Sequence, residues 1–118
     1  MISEDSLQKI SHLFCGDTGE KFAYKSGPKL VSFFNTYFSA NDKYESGFPS
    51  RWIYVYNKLI GFLNGGLIQK FLDIILSKDY LMSEQNLTAV DAASRSQDIL
   101  NELNNIIRKD QYTIIKSN

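Results

Sequence analysis

The stretch Ser26-Gly27-Pro28-Lys29-Leu30-Val31-Ser32-Phe33-Phe34-Asn35-Thr36-Tyr37-Phe38 decides how the chain is read. Pro28 suits the first turn of a helix, because the amide it lacks would have no partner there and its ring presets the backbone angle. The spacing predicts a helix over residues 28–38 in which Leu30, Val31, Phe33, Phe34, Tyr37 and Phe38 cover more than half the circumference. A helix so broadly apolar belongs at the centre of a bundle.

Working outward, Leu7, Ile10, Leu13 and Phe14 recur every three or four residues, with Ser3 or Ser6 placed to cap a first helix over residues 3–14. Residues 16–20 have turn chemistry, and residues 21–24 read as an extended connector. After a loop over residues 39–49, Ser50 caps a third helix. Trp52, Ile53, Tyr56, Leu59, Ile60 and Leu63 share one side of it, with Arg51, Tyr54, Val55 and Lys58 on another. Asn64-Gly65-Gly66 stops that helix. Residues 67–77 form a short fourth helix, apolar nearly all round, and residues 79–83 punctuate. Ser83 caps a long final helix over residues 84–109 with a thin stripe through Leu87, Val90, Ala93, Leu100, Leu103 and Ile107.

Residues 111–116 are rich in strand formers and too short to be stable alone. The expectation is therefore a mainly α, compact bundle of about five helices. A short C-terminal strand would pair with the connector near residues 21–24, with a second copy, or with sequence past Asn118. Residues 1–118 then make one domain, without internal repeat or linker.

Composition narrows the function classes. Of 118 residues, 43% are hydrophobic and 14% aromatic, enough for one core and unlike a disordered chain. Thirteen Lys and Arg balance thirteen Asp and Glu, so no global field draws the protein to nucleic acid or an anionic membrane. The apolar runs are too short to span a bilayer, and the acidic start Met1-Ile2-Ser3-Glu4-Asp5-Ser6 is unlike a secretion signal. With a lone Cys15, these features point to the cytoplasm.

His12 and Cys15 stand three apart on a helix, but no other His or Cys exists to complete a zinc site, so no metal or cofactor is expected. No glycine pattern forms a phosphate loop, and the acidic residues are scattered singly; an enzyme is the least supported class. Two segments remain, Ser26-Gly27-Pro28-Lys29 and Gly47-Phe48-Pro49-Ser50-Arg51-Trp52. Each sets a basic side chain beside a helix N-terminus. Between Lys21 and Lys58 there are six basic residues and two acidic ones. Lys25, Lys29, Arg51, Tyr54 and Lys58 are thus the candidate ligand or partner surface, with Tyr24 and Tyr44 as further stacking partners for nucleic acid. The plainer reading keeps Pro and Ser as helix starters and the lysines as solvated charge, with Trp52, Phe33, Phe34 and Phe71 holding the core. A groove for a peptide, a partner protein or a second copy also stays open.

The segments Ser-Gly-Pro-Lys-Leu-Val-x-Phe-Phe-Asn at 26–35 and Gly-Phe-Pro-Ser-Arg-Trp-x-Tyr at 47–54, followed by Lys58-Leu59 and Leu63-Asn64-Gly65, carry a family likeness. The chain resembles, over about residues 7–115, the N-terminal domains of bacterial abortive-infection proteins of the AbiJ type. Residues 16–25 are longer and more polar than that pattern. The resemblance implies antiphage defence, with this domain sensing a trigger or controlling a C-terminal effector, often a HEPN-type ribonuclease. It supplies no catalytic residues. A HEPN ribonuclease needs an Arg shortly before a His, and no Arg precedes His12, so the nuclease would lie in a separate domain.

Overall fold

The computed structural model describes residues 2–19 and 21–115. α1 (Glu4–Cys15) starts at Ser3, whose hydroxyl accepts from the Ser6 amide at 3.2 Å, and stops at left-handed Gly16. α2 (Gly27–Phe38) starts at Ser26 with Pro28 in its first turn. α3 (Arg51–Gly65) follows Ser50, whose side chain makes no capping bond, and ends at left-handed Gly66. α4 (Ile68–Leu76), α5 (Lys78–Gln85) and α6 (Ala89–Ile107) complete the chain, with a 3-10 turn over Arg108–Asp110. α1 packs chiefly along α3, while α6 lies against α5, α1 and α4.

The centre is aromatic. Phe14, Phe34 and Phe71 are fully buried, and Phe14 meets the rings of Phe33 at 4.9 Å, Phe71 at 5.3 Å and Phe22 at 5.5 Å, all edge to face. Such pairings contribute about 1 kcal/mol each beyond the area they bury. Trp52 packs against this core from its edge, partly buried, and stacks on His12 at 4.9 Å. α3 turns Tyr54, Val55 and Leu59 inward, so the face that carries Arg51, Tyr54, Val55 and Lys58 contributes two of the helix's buried residues.

The expected C-terminal strand is overturned. Among the described residues there is no β-strand, and the chain is an all-α bundle of six helices rather than about five helices with a strand. Lys116, the end of the expected strand, and Glu20, in the expected turn, lie outside the described residues. Residues 112–115 run without a partner strand because a side chain takes the partner's role. Asn104 accepts from the Ile114 amide at 2.6 Å and donates to the Ile114 carbonyl at 3.1 Å, while the Ile114 side chain is buried. The connector is satisfied in the same way, with Ala23 N–H donating to Glu84 Oε1 at 3.3 Å and the Lys21 carbonyl accepting from Gln85 Nε2 at 2.8 Å. With backbone groups paired to side chains, neither segment needs a ladder.

The long final helix is also divided. Ser77, not Ser83, caps α5 by accepting from the Tyr80 amide at 3.2 Å; Asn86 ends it in the left-handed region at φ 54°, and Thr88 caps α6. The buried stripe of α6 is Ala92, Ser96, Ile99, Leu103 and Ile107, leaving Val90 79% exposed. Ser96 is the hinge of the misreading. Polar by type, it sits in the core because its hydroxyl donates to the Leu76 carbonyl at 2.6 Å, where α6 crosses the end of α4. No helix of the described residues is long and apolar enough to cross a membrane.

Gly16 and Gly66 separate two uses of glycine. Both have positive φ, 83° and 79°, but a Cβ on Gly16 would lie 2.6 Å from Ala23 O and Tyr24 Cα, whereas at Gly66 nothing stands within 4 Å. Gly66→Ala should cost about 1 kcal/mol from the left-handed conformation alone, and Gly16→Ala about 3 kcal/mol once overpacking adds to it. Urea unfolding of the two variants measures the difference; equal losses would show that the Gly16 contact yields without strain.

Candidate functional site

Four of the five side chains marked out by the sequence are committed inside the molecule. Lys25 is 4% exposed; its ammonium donates to the Phe14 carbonyl at 2.8 Å, pairs with Glu84, and lies 4.3 Å from the centre of the Phe14 ring and 4.8 Å from that of Phe22. Burial drives the Lys25 pKa down, and the Glu84 carboxylate opposes it. Glu84 also accepts from Tyr80 Oη at 2.8 Å and Gln85 Nε2 at 3.0 Å. Arg51 donates from Nε to the Lys25 carbonyl at 2.7 Å and from Nη2 to the Cys15 carbonyl at 2.8 Å and Asp17 Oδ1 at 2.9 Å, with its guanidinium 4.1 Å from the Tyr24 ring centre.

Tyr54 is buried and donates to Asp42 Oδ2 at 2.6 Å; Lys58 pairs with the same carboxylate. The amide of Asn35 brackets the Asp42 backbone at 3.0 and 3.1 Å, so this group pins the loop before α3 onto α2. Lys58, then Tyr54, holds the Asp42 carboxyl below its ordinary range, and burial raises the Tyr54 phenol. Lys29 stands exposed at the start of α2. Gly27 beside it is explained by packing, since a Cβ there would lie 2.1 Å from Tyr44 Cε1. The two sequence segments therefore meet, but as the joints of the fold.

A concavity of ligand size lies elsewhere. The start of α1 meets the end of α6 where Asp110 Oδ2 accepts from Ser6 Oγ at 2.7 Å and from the Ser3 amide at 3.2 Å; those bonds, Ser6 first, hold the Asp110 carboxyl low. Beside this junction a cleft of about 590 Å³ opens between the two helices and the turn at Thr18. Leu13 and Ile106 give it apolar surface, Lys9, Arg108 and Lys109 supply cations, and His12, Glu102 and Asn105 supply polar groups. Asp5 links Lys9, at 3.4 Å, to Lys109, and those ammoniums hold the Asp5 carboxyl low, Lys109 chiefly. Arg108 donates to Asn105 Oδ1 at 2.5 Å and has no carboxylate partner among the described residues. Glu102 likewise makes no ion pair or hydrogen bond among them. His12 is steadied by Asp17 at 3.2 Å and by Trp52 behind its ring. A second, polar hollow of about 450 Å³ lies beyond Arg108, with Asn101, Asn104 and Tyr112 in its wall.

Such a cleft fits a small ligand that is anionic at one end and otherwise flat or apolar, and its volume falls in the range of ordinary ligand sites. Cys15 takes no part: burial pushes its thiol up to about 11, so it packs as a small apolar group. Among the described residues no three His, Cys, Asp or Glu side chains gather as a metal would require. Sequence spacing missed the cleft because its two walls are about a hundred residues apart. The adjacent Arg108-Lys109 at a helix end was the visible hint, and it reads equally as charge placed against a helix dipole. No family model matches the chain, and neither a curated protein nor a solved structure matches it.

Two outcomes follow from the buried charges. Glu84→Gln should cost about 3–5 kcal/mol by leaving the Lys25 ammonium buried without its counter-charge, while the double change Lys25→Met, Glu84→Leu should recover most of that loss; chemical unfolding compares the three proteins. Asp42, its pKa depressed from 3.8 by Lys58, stabilises the fold above that ordinary value, and the contribution disappears as pH falls through the lowered one. Unfolding between about pH 5 and about pH 2 should therefore be less pH-dependent in Asp42→Asn, and an unchanged slope would show that the ion pair adds nothing.

Proposed function

We propose that this chain is a non-catalytic recognition domain of bacterial antiphage defence, sensing a trigger in the α1–α6 cleft and relaying its presence to an effector domain or partner protein. The observation that carries the reading is the cleft itself, a concave, cation-rimmed site with apolar surface at the meeting of the first and last helices. The AbiJ-type resemblance of the segments at 26–35 and 47–54 supplies the biological setting. The cytoplasm suits it, since a single thiol kept in the core belongs with a reducing compartment.

A route for relay is built into α6. Glu102 and Asn105 line the cleft, while Asn104, between them in sequence, holds Ile114 by two hydrogen bonds. A ligand that shifts this turn of α6 acts on both, and differential binding to the two positions would bias residues 111–115 toward release or docking. The alternative of nucleic-acid binding through the segment 21–58 draws less support, because Lys25, Arg51 and Lys58 already have internal anionic or carbonyl partners.

The test is a plaque assay on bacteria carrying the protein, as wild type, as Lys9→Glu with Arg108→Glu, and as Lys29→Glu. Protection by the wild type and by Lys29→Glu, lost in the cleft variant at unchanged Tm, is the expected pattern. A cleft variant that protects as well as wild type, or a wild type that does not protect, overturns it.

A further inference from the structure

The cleft's charges are sorted along its length. At the junction end, Lys9, Arg108 and Lys109 stand against two carboxylates, Asp5 and Asp110, which leaves one positive charge in excess, and Arg108 is the cation with no carboxylate partner among the described residues. A phosphate monoester, close to −2 at neutral pH, is an anion that the Arg108 guanidinium can hold through two parallel N–H donors, with the two lysine ammoniums beside it. Moving away from the junction, α6 presents Ile106 and then Glu102, and α1 presents His12 and Leu13. Glu102 and Lys109 are seven residues apart, about 10 Å along the helix axis. Their separation is comparable to that between the phosphate and the far base edge of a nucleoside monophosphate.

Glu102 chooses among the bases. A carboxylate only accepts hydrogen bonds, and it accepts two at once from neighbouring donors. Guanine alone among the common bases sets two N–H donors side by side on its pairing edge, a ring N–H and an exocyclic amine. Adenine and cytosine set one amine beside a ring acceptor, and uracil flanks its N–H with carbonyls. The Glu102 side chain has no internal partner among the described residues to compete with such a ligand.

We propose that the α1–α6 cleft binds a guanosine monophosphate, with the phosphate on Arg108, Lys9 and Lys109, the base against Leu13 and Ile106, and its donor edge on Glu102. This rests on the recognition reading above and names its ligand class. Binding sets the phosphate in competition with Asp5 for the two lysines, so occupancy loosens the Asp5 bridge to Lys9 and Lys109.

The probes are GMP, AMP, guanosine and inorganic phosphate, titrated into the whole chain by calorimetry and by the emission of Trp52, the sole tryptophan, stacked on cleft residue His12. GMP should bind and change the emission, with guanosine and phosphate each about 10–100-fold weaker and AMP about ten-fold weaker. Glu102→Gln, nearly the same shape, should erase the preference for GMP over AMP. Arg108→Met should weaken both nucleotides and leave guanosine unchanged. No heat or emission change with GMP at millimolar concentration, or a GMP preference that survives Glu102→Gln, overturns the proposal. The two readings fail separately: if GMP does not bind but the cleft variant still loses protection against phage, the guanosine assignment falls and recognition in the cleft stands.

Discussion

The last turn of a helix leaves carbonyls with no partner in their own ladder, and at the end of α1 those carbonyls lie in the core, where water cannot serve them. The chain answers with cations from two other segments. Lys25 donates its ammonium to the Phe14 carbonyl and its amide to the Cys15 carbonyl at 3.0 Å, and Arg51 adds its guanidinium to Cys15. Lys25 and Arg51 hold the connector over the end of α1 and seat the first residue of α3 beside it. The negative end of the α1 dipole favours both charges. Glu84 then has to stand opposite Lys25, which places α5, and Phe14 is left at the middle of the aromatic cluster with its carbonyl satisfied. The positions of four elements thus trace back to a few carbonyl oxygens.

This explains why so much of the candidate surface was legible as important and so little of it as to role. Sequence spacing located α1 to α4, with the first start at Ser3 or Ser6, of which the structure selects Ser3, the second at Ser26, and stops near Gly16 and Gly66, because caps and glycines act locally. It also marked Lys25 and Arg51 as charges beside helix starts, Lys58 as part of the basic excess over residues 21–58, and Tyr54 as an aromatic ring among them. Whether such a charge looks outward to a ligand or inward to a carbonyl depends on partners distant in sequence, Glu84 for Lys25 and the Cys15 carbonyl for Arg51. Local pattern contains neither.

Two of the remaining differences share one cause, a polar side chain standing in for backbone, and the third is a left-handed residue. Ser96 carries its hydroxyl into the core by bonding the Leu76 carbonyl, which rotates the buried stripe of α6 away from Val90. Asn104 imitates a neighbouring strand for Ile114. Asn86 ends α5 in the left-handed region, which Asn tolerates better than most residues, although Asn inside a long polar stretch reads as helix surface. For Ser96 and Asn104 the residue type permits both roles, and only the presence of a carbonyl or amide at the right distance selects one.

The bonds between Ser3 and Asp110 span a sequence separation of 107, close to the whole length of the domain. Bringing such distant points together carries the largest loop-closure entropy of the hydrogen bonds among the described residues, so the α1–α6 junction is set to assemble after the helices and their short connections. During synthesis the first helix leaves the ribosome long before the last, and one wall of the cleft exists without the other until Arg108 and Lys109 emerge. A nascent chain therefore has no cleft until its last helix is made. The cleft arrives together with closure of the α1–α6 junction, so no partly made chain presents both of its walls.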